Sequence, residues 1–151
     1  METITKLGTF DDVLEATSED VRQICHALRA LICEAHPACV EVPRPGERSS
    51  AYGFGEKKMS EAYAYIMPQK VHVNLGFYHG ATIAADNPHL EGSGIKLRHI
   101  KVRDLESVQS PEVRKALLDA IAERSTALGQ SVSKSVVPTD AAVDLQDSAN
   151  S

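Results

Sequence analysis

The chain reads as an α+β protein, an antiparallel sheet packed against two main helices, and three observations predict it. The run Lys70-Val-His-Val-Asn-Leu-Gly-Phe-Tyr78 alternates. Val71, Val73, Leu75 and Phe77 fall on one phase, and Lys70, His72, Asn74 and Tyr78 on the other, which is the period of a half-buried strand. Val21, Ile24, Cys25, Leu28, Leu31, Ile32 and Ala35 follow the three-then-four spacing of an amphipathic helix. Ser110-Pro-Glu-Val113 opens a second helix with a Ser cap, a Pro at the first helical position and an early acid. Val113, Leu117, Ala120, Ile121 and Leu128 form its stripe, and Gly129 ends it.

Taken in chain order, Thr9 followed by Asp12 predicts a capped short helix over 10–16. Ser18 caps the longer helix, Glu19 and Asp20 suit its positive end, and His36-Pro37 closes it. Pro43, Pro45 and Gly46 make 40–50 irregular or edge structure. A short strand is expected over 50–55. Another is expected over 61–67, with Ala62, Ala64 and Ile66 on one face and Tyr63 and Tyr65 on the other. Pro68-Gln69 is the expected turn, which sets Tyr65 opposite His72 and Tyr63 opposite Asn74. A loop one residue longer would flip one strand, so the apolar pattern selects the register parity. Residues 81–94 read as loop. The strand 95–102 follows with mixed parity: Ile95 and Leu97 lie on one phase, Ile100 and Val102 on the other. That calls for a bulge or for burial on both faces. The hairpin over 61–78 is expected at the centre, with 95–102 in the same sheet. Residues 130–151, rich in Ser, Ala and Asp, read as a disordered tail behind a domain of residues 1–129.

Composition limits the function classes. The 151 residues carry 16 Lys and Arg against 21 Asp and Glu, a net charge of -5. A phosphate backbone is held mainly by neutralising cations, so general nucleic-acid binding is not expected. No apolar run approaches the roughly twenty residues of a membrane helix. Residues 1–8 lack a basic region followed by an apolar stretch, so no signal peptide is expected and a cytoplasmic address follows. The 3 cysteines are then expected as reduced thiols.

The runs His72-Val-Asn-Leu-Gly-Phe-Tyr78, Leu90-Glu-Gly-Ser-Gly94 and Lys96-Leu-Arg-His-Ile-Lys101 resemble the YdhG-like domain family, a domain of unknown function, over 71–121. The helix before Pro37 is similar to that family's N-terminal helix more loosely. Tyr52-Gly-Phe-Gly55 lacks the proline of the family's aromatic-Gly-x-Pro stretch. The resemblance implies a small α+β domain with an antiparallel sheet and no established enzyme activity. It also implies a link to intracellular iron handling through some relatives.

Four constellations carry possible chemistry. Tyr63, Tyr65, His72 and Asn74, on the polar face of the hairpin, have the ring and amide chemistry of a small-molecule pocket. The same pattern also describes a plain solvent face. Lys96, Arg98, His99, Lys101 and Arg103 gather positive charge behind Glu91-Gly-Ser-Gly94, whose backbone N–H groups can converge on an anion. A lysine- and arginine-protected edge strand has the same signature. Asp11, Asp12, Glu15, Glu19 and Asp20 crowd together with no base between Lys6 and Arg22. They suit a hard cation or ferrous iron, or else the positive ends of two helices. Cys33-x-x-His36-x-x-Cys39 offers zinc three of the four ligands that a structural site needs. No serine lies in a Gly-x-Ser-x-Gly elbow, so no hydrolase triad is indicated. The expectation is a non-enzymatic protein binding a small anion or metal ion through Tyr63, Tyr65, His72, Asn74, Arg98 and His99. An iron carrier built on the acidic stretch and a protein-interaction adaptor are the alternatives.

Overall fold

The structure is a computed structural model that describes residues 1–129; the expected tail, 130–151, lies outside the described residues. Among the described residues six strands, β1 (Glu2–Thr3), β2 (Val40–Arg44), β3 (Ser49–Gly53), β4 (Ala62–Pro68), β5 (Val73–Phe77) and β6 (Arg98–Val102), form one sheet in sequence order. β1 runs parallel to β2 and every other neighbouring pair is antiparallel. The expected α+β class stands, but the sheet is mixed rather than wholly antiparallel. The difference comes from β1, too short to leave a periodic signal. Short helices α1 (Phe10–Val13), α3 (Lys58–Glu61), α4 (Gly80–Ile83) and α5 (Leu105–Val108) accompany the long α2 (Glu19–Ala35) and α6 (Pro111–Leu128). No helix among the described residues is long and apolar enough to cross a membrane.

Helix boundaries follow local chemistry. Thr9 and Asp12 form the reciprocal capping box of α1. Ser18 caps α2 and Ser110 caps α6, each accepting from a backbone N–H within the first turn. Gly129 ends α6 in the left-handed conformation, φ 70°. The buried residues of α2 are the predicted stripe, with Leu28 and Ile32 at 0% exposure. Each such side chain contributes roughly 1.5–3 kcal/mol by leaving water. The stripes of α2 and α6 share one core with Tyr52, Ala64, Ile66, Val73, Leu75 and Phe77. A second apolar patch holds Val42, Ala51, Ala62 and Tyr78, with Tyr65 packed against it. Val42, Ala51 and Tyr65 are cross-strand neighbours, so alternation puts this patch on the sheet face away from α2 and α6.

Four strand expectations are corrected. The stretch expected to be irregular contains β2, with Pro43 inside it. β1 pairs with Val40 and Glu41, so among the described residues Pro43 has no further strand on that side and its missing N–H breaks no ladder. In β4, Tyr52 pairs with Ala64 and Gly53 with Ala62, leaving Tyr63 as an extra residue. This bulge moves Tyr63 to the helix side and Ala62 to the opposite patch. Only glycine fits at position 53, because a methyl group there would overlap the backbone of Glu61 and Ala62. The β4–β5 turn spans 69–72, closed by the Gln69 N–H donating to the His72 carbonyl at 2.8 Å. Tyr65 therefore faces Gly76 and Met67 faces Asn74, although the parity is as expected, with Ile66 opposite Leu75. Finally, β6 starts at Arg98. Ile95 and Leu97 lie in the preceding loop, 93% and 45% exposed, which accounts for the mixed parity without a bulge. The expected loop 81–94 also holds most of α4 and a 3-10 turn, Ala84–Asp86, tied to α6 by Asn87 donating to Asp119 at 2.9 Å.

Candidate functional site

The hairpin constellation is divided between two faces. Tyr63 is buried against α2, its hydroxyl 2.8 Å from His36 Nδ1. Tyr65 lies on the other face, over Gly76, with its ring centroid 5.1 Å from that of Tyr78. A methyl group at Gly76 would fall inside the Tyr65 ring, so the glycine makes room for the aromatic. His72 belongs to the turn, where Nε2 lies 3.1 Å from Asn74 Oδ1. Arg98 pairs with Phe77 and His99 with Gly76, near the far end of β5 from His72. At about 3.3 Å per residue the backbone from His72 to Phe77 spans roughly 17 Å. Cross-strand pairing also puts Arg98 on the helix-side phase, with Phe77, and Asn74, His99 and Lys101 on the opposite one. His72, Asn74, Arg98 and His99 do not meet in one pocket.

The Gly-rich turn binds a cation of its own chain. Arg98 Nη1 donates to the carbonyls of Gly94 and Leu97, both at 2.7 Å. The Ala81 N–H reaches the Lys96 carbonyl at 2.8 Å. The carbonyls of Gly94, Lys96 and Leu97 are thus engaged by their own chain. Glu91 pairs with His99 across the open side of β6 through two backbone hydrogen bonds, and Lys101 makes an ion pair with Glu91 at 3.6 Å.

The proposed metal ligands are also apart. Asp11 and Asp12 lie in the first turn of α1, Glu19 and Asp20 in the first turn of α2. Asp12 accepts from the Thr9 backbone and Glu19 from Gln23. Glu15 is exposed between the two helices. Among the described residues no three His, Cys, Asp or Glu side chains are placed to hold a metal ion. Burial pushes the Cys39 thiol up to about 12 and lowers His36 to about 4, with the N-terminal ammonium acting the same way on His36. His36 is packed between Phe54 and Tyr63, with ring centroids at 4.6 and 5.6 Å.

A buried ion pair went unseen in the sequence. Glu41, at 0% exposure, accepts from Arg29 Nε at 2.5 Å and Nη2 at 2.8 Å, Tyr52 Oη at 2.7 Å and Thr3 Oγ1 at 3.0 Å. Burial alone would raise its pKa; the hydrogen bonds and the Arg29 charge outweigh it and leave the carboxyl below its ordinary value. The bidentate fork and two hydroxyls satisfy this carboxylate, so it serves to join β1, β2, β3 and α2.

The open chemistry lies at one end of the sheet. A cleft of about 490 Å³ is bounded by Ala16, Thr17 and Ser18 before α2, Glu47 and Arg48 in the β2–β3 turn, and Met67 to Lys70 at the β4–β5 turn. Arg48 follows the 3-10 turn Pro45–Glu47 in the left-handed conformation, φ 55° and ψ 38°, the one non-glycine residue with positive φ among those described. Such a backbone costs an ordinary residue about 1–2 kcal/mol, and Gly46 nearby does not occupy the position. Neither Arg48 nor Lys70 makes an ion pair among the described residues, whereas Glu47 is taken by Lys58 at 2.9 Å and Arg44 at 3.8 Å. Extending the β3–β4 register from Ser50 opposite Ile66 sets Arg48 beside Pro68, with Lys70 just beyond. Three segments distant in sequence supply this cleft; Pro45-Gly46 and Pro68-Gln69 each marked a turn, but nothing in the sequence joined them to the start of α2.

Comparison with known proteins finds no matching family model, no matching curated protein and no matching solved structure.

Proposed function

We propose that the protein is a cytoplasmic, non-enzymatic domain of the YdhG-like type that binds a small anion, seated in the cleft at the end of the sheet. The observation that carries this reading is Arg48: a guanidinium with no ion-pair partner among the described residues, held in a strained backbone conformation on the wall of the cleft, with Lys70 also lining it. The cleft volume of about 490 Å³ falls in the usual range of ligand sites, roughly 300–1,000 Å³. Guanidinium forks match carboxylate and phosphate oxygens, and an ammonium adds a point charge. Ser18, the N-cap of α2, also lines the cleft. The ligand contacts therefore move from His72, Asn74, Arg98 and His99 to Arg48, Lys70 and the residues before α2.

Calorimetric titration with inorganic phosphate tests the reading. Wild type should bind, and Arg48→Ala and Lys70→Ala should each weaken binding about tenfold, the value of one charge-assisted hydrogen bond. Phosphate binding unchanged in both variants would refute it. The adaptor reading rests on a different observation, the exposed Ile95 in a loop carrying Lys96. A pull-down lost in Ile95→Ser, with phosphate binding intact, would favour it.

A further inference from the structure

We infer that the occupant of the cleft is a hydroxylated organic anion, a polyol body carrying a phosphate or carboxylate head. This rests on the anion-binding reading above and concerns the body, since Arg48 and Lys70 receive either head. The balance of donors and acceptors along the cleft carries the inference. Arg48 and Lys70 only donate, the Glu47 carboxylate only accepts, and the Gln69 amide and the Thr17 and Ser18 hydroxyls do both. The chain itself uses few of these groups. Glu47 Oε1 accepts from Lys58 at 2.9 Å, but Arg44 Nη1 stands 3.8 Å from Oε2, beyond a hydrogen bond. Ser18 Oγ accepts from the Val21 N–H at 3.4 Å, which leaves its proton to donate. The Thr17 hydroxyl and the Gln69 side-chain amide, on half-buried residues, make no hydrogen bond among the described residues. A bare oxyanion answers the two cations, yet Glu47 Oε2 and the Gln69 carbonyl call for donors. Hydroxyl groups donate and accept, so they suit a carboxylate, an amide and a hydroxyl alike. The order of residues repeats the match: Arg48 follows Glu47 in one turn and Lys70 follows Gln69 in the other, so each cation has an acceptor as its neighbour. Space agrees. Five heavy atoms at the roughly 30 Å³ that water takes in the liquid fill about 150 Å³. The cleft holds about 490 Å³, which leaves room for a body beside the head.

The experiment is a titration of the full chain at fixed ionic strength with matched pairs, glycerophosphate against propyl phosphate and glycerate against propionate. Within a pair the head and the carbon count are the same and only the hydroxyls differ. The hydroxylated member of the pair whose head the site takes should bind about tenfold more tightly, the effect of one or two net hydrogen bonds. Comparison between the pairs identifies the head. Gln69→Ala and Glu47→Gln should each reduce the ratio within the pair, with thermal melting reporting that the fold is kept. The ratio is the readout because removing the Glu47 charge strengthens binding of both members alike. Arg48→Gly should weaken both members and leave their ratio unchanged. Equal affinities within each pair overturn the inference and leave the anion site standing. A ratio that survives both Gln69→Ala and Glu47→Gln overturns the assignment of the hydroxyl contacts. Glycerol binding as tightly as glycerophosphate overturns the inference in favour of a neutral polyol site. Binding of none of the four anions removes the anion site itself, and this inference with it.

Discussion

Replacing Arg48 with glycine sets stability against binding, and the two effects have opposite signs. Arg48 sits at φ 55° and ψ 38° after the 3-10 turn, with its N–H donating to the Pro45 carbonyl at 2.9 Å. A side chain in this region costs about 1–2 kcal/mol, which glycine does not incur. Glycine gives back about 0.4–1 kcal/mol through the greater freedom of the unfolded chain. Arg48 is exposed and has no ion-pair partner among the described residues, so little else is lost from the fold. The net expectation for Arg48→Gly is a gain of about 0.5–1 kcal/mol, or about 3 °C in Tm for a domain of this size. Urea unfolding monitored by circular dichroism, alongside phosphate titration of the same sample, reads both quantities. The turn stabilises while phosphate affinity falls about tenfold, the loss of one charge-assisted contact. A variant that is less stable than wild type would show that the Arg48 side chain holds the turn together. The reasoning that treats it as a ligand contact would then fail.

Three more expectations follow from the buried polar groups and the tightest packing. Folded His36 titrates at about 4 against 6.5 for an unfolded histidine, because burial disfavours its charged form. As pH falls from 6.5 to 4 the unfolded chain takes up the proton first, so stability should drop by about 3 kcal/mol across that window. His36→Gln should flatten this dependence in urea melts at several pH values, and an unchanged slope would contradict the assignment. Glu41 has the opposite linkage: its pKa is depressed, so its contribution is present above the ordinary carboxylate value and fades only as pH falls through the folded one. Arg29→Met should destabilise by about 3–5 kcal/mol, since it leaves a fully buried carboxylate unpaired, and Glu41→Gln by less, since the Arg29 side chain is 35% exposed and can rehydrate. Equal costs in chemical denaturation would refute that asymmetry. Gly76→Ala should cost about 1–3 kcal/mol by forcing the Tyr65 ring off the strand, and an undiminished Tm would show that the ring moves freely.

What could be read in advance was local. The α2 stripe, the Thr9–Asp12 box and the Ser110-Pro111 start are set by neighbours a few residues away, and the structure reproduces each. Register parity was also legible, because a slip by one residue would expose Val73, Leu75 and Phe77. The turn length was not: the pattern is blind to shifts of two residues, and placing Tyr65 over Gly76 instead of opposite His72 depends on ring packing. The bulge at Tyr63 was hidden for a related reason. Tyrosine suits either face of a strand, so the reversal of phase at Gly53 leaves no mark in hydropathy. The cleft was the least legible feature, since Ser18, Arg48 and Lys70 come together only when three connections meet at one end of the sheet.

The short ladder between Glu91 and His99 bears on how this protein behaves when crowded. Among the described residues β6 is the last strand of the sheet, and an uncovered strand is a template on which another chain can add. Here the chain doubles back, and Glu91 occupies both backbone hydrogen-bonding groups of His99 on the open side. The loop that separates β5 from β6 thus acts as a stopper as well as a connection. Shortening it would not merely tighten a surface excursion; it would uncover a polymerisable margin at the start of β6, with the exposed Ile95 a few residues before it. Cover for this edge therefore comes from a Gly-containing turn as well as from the strand's lysines and arginines.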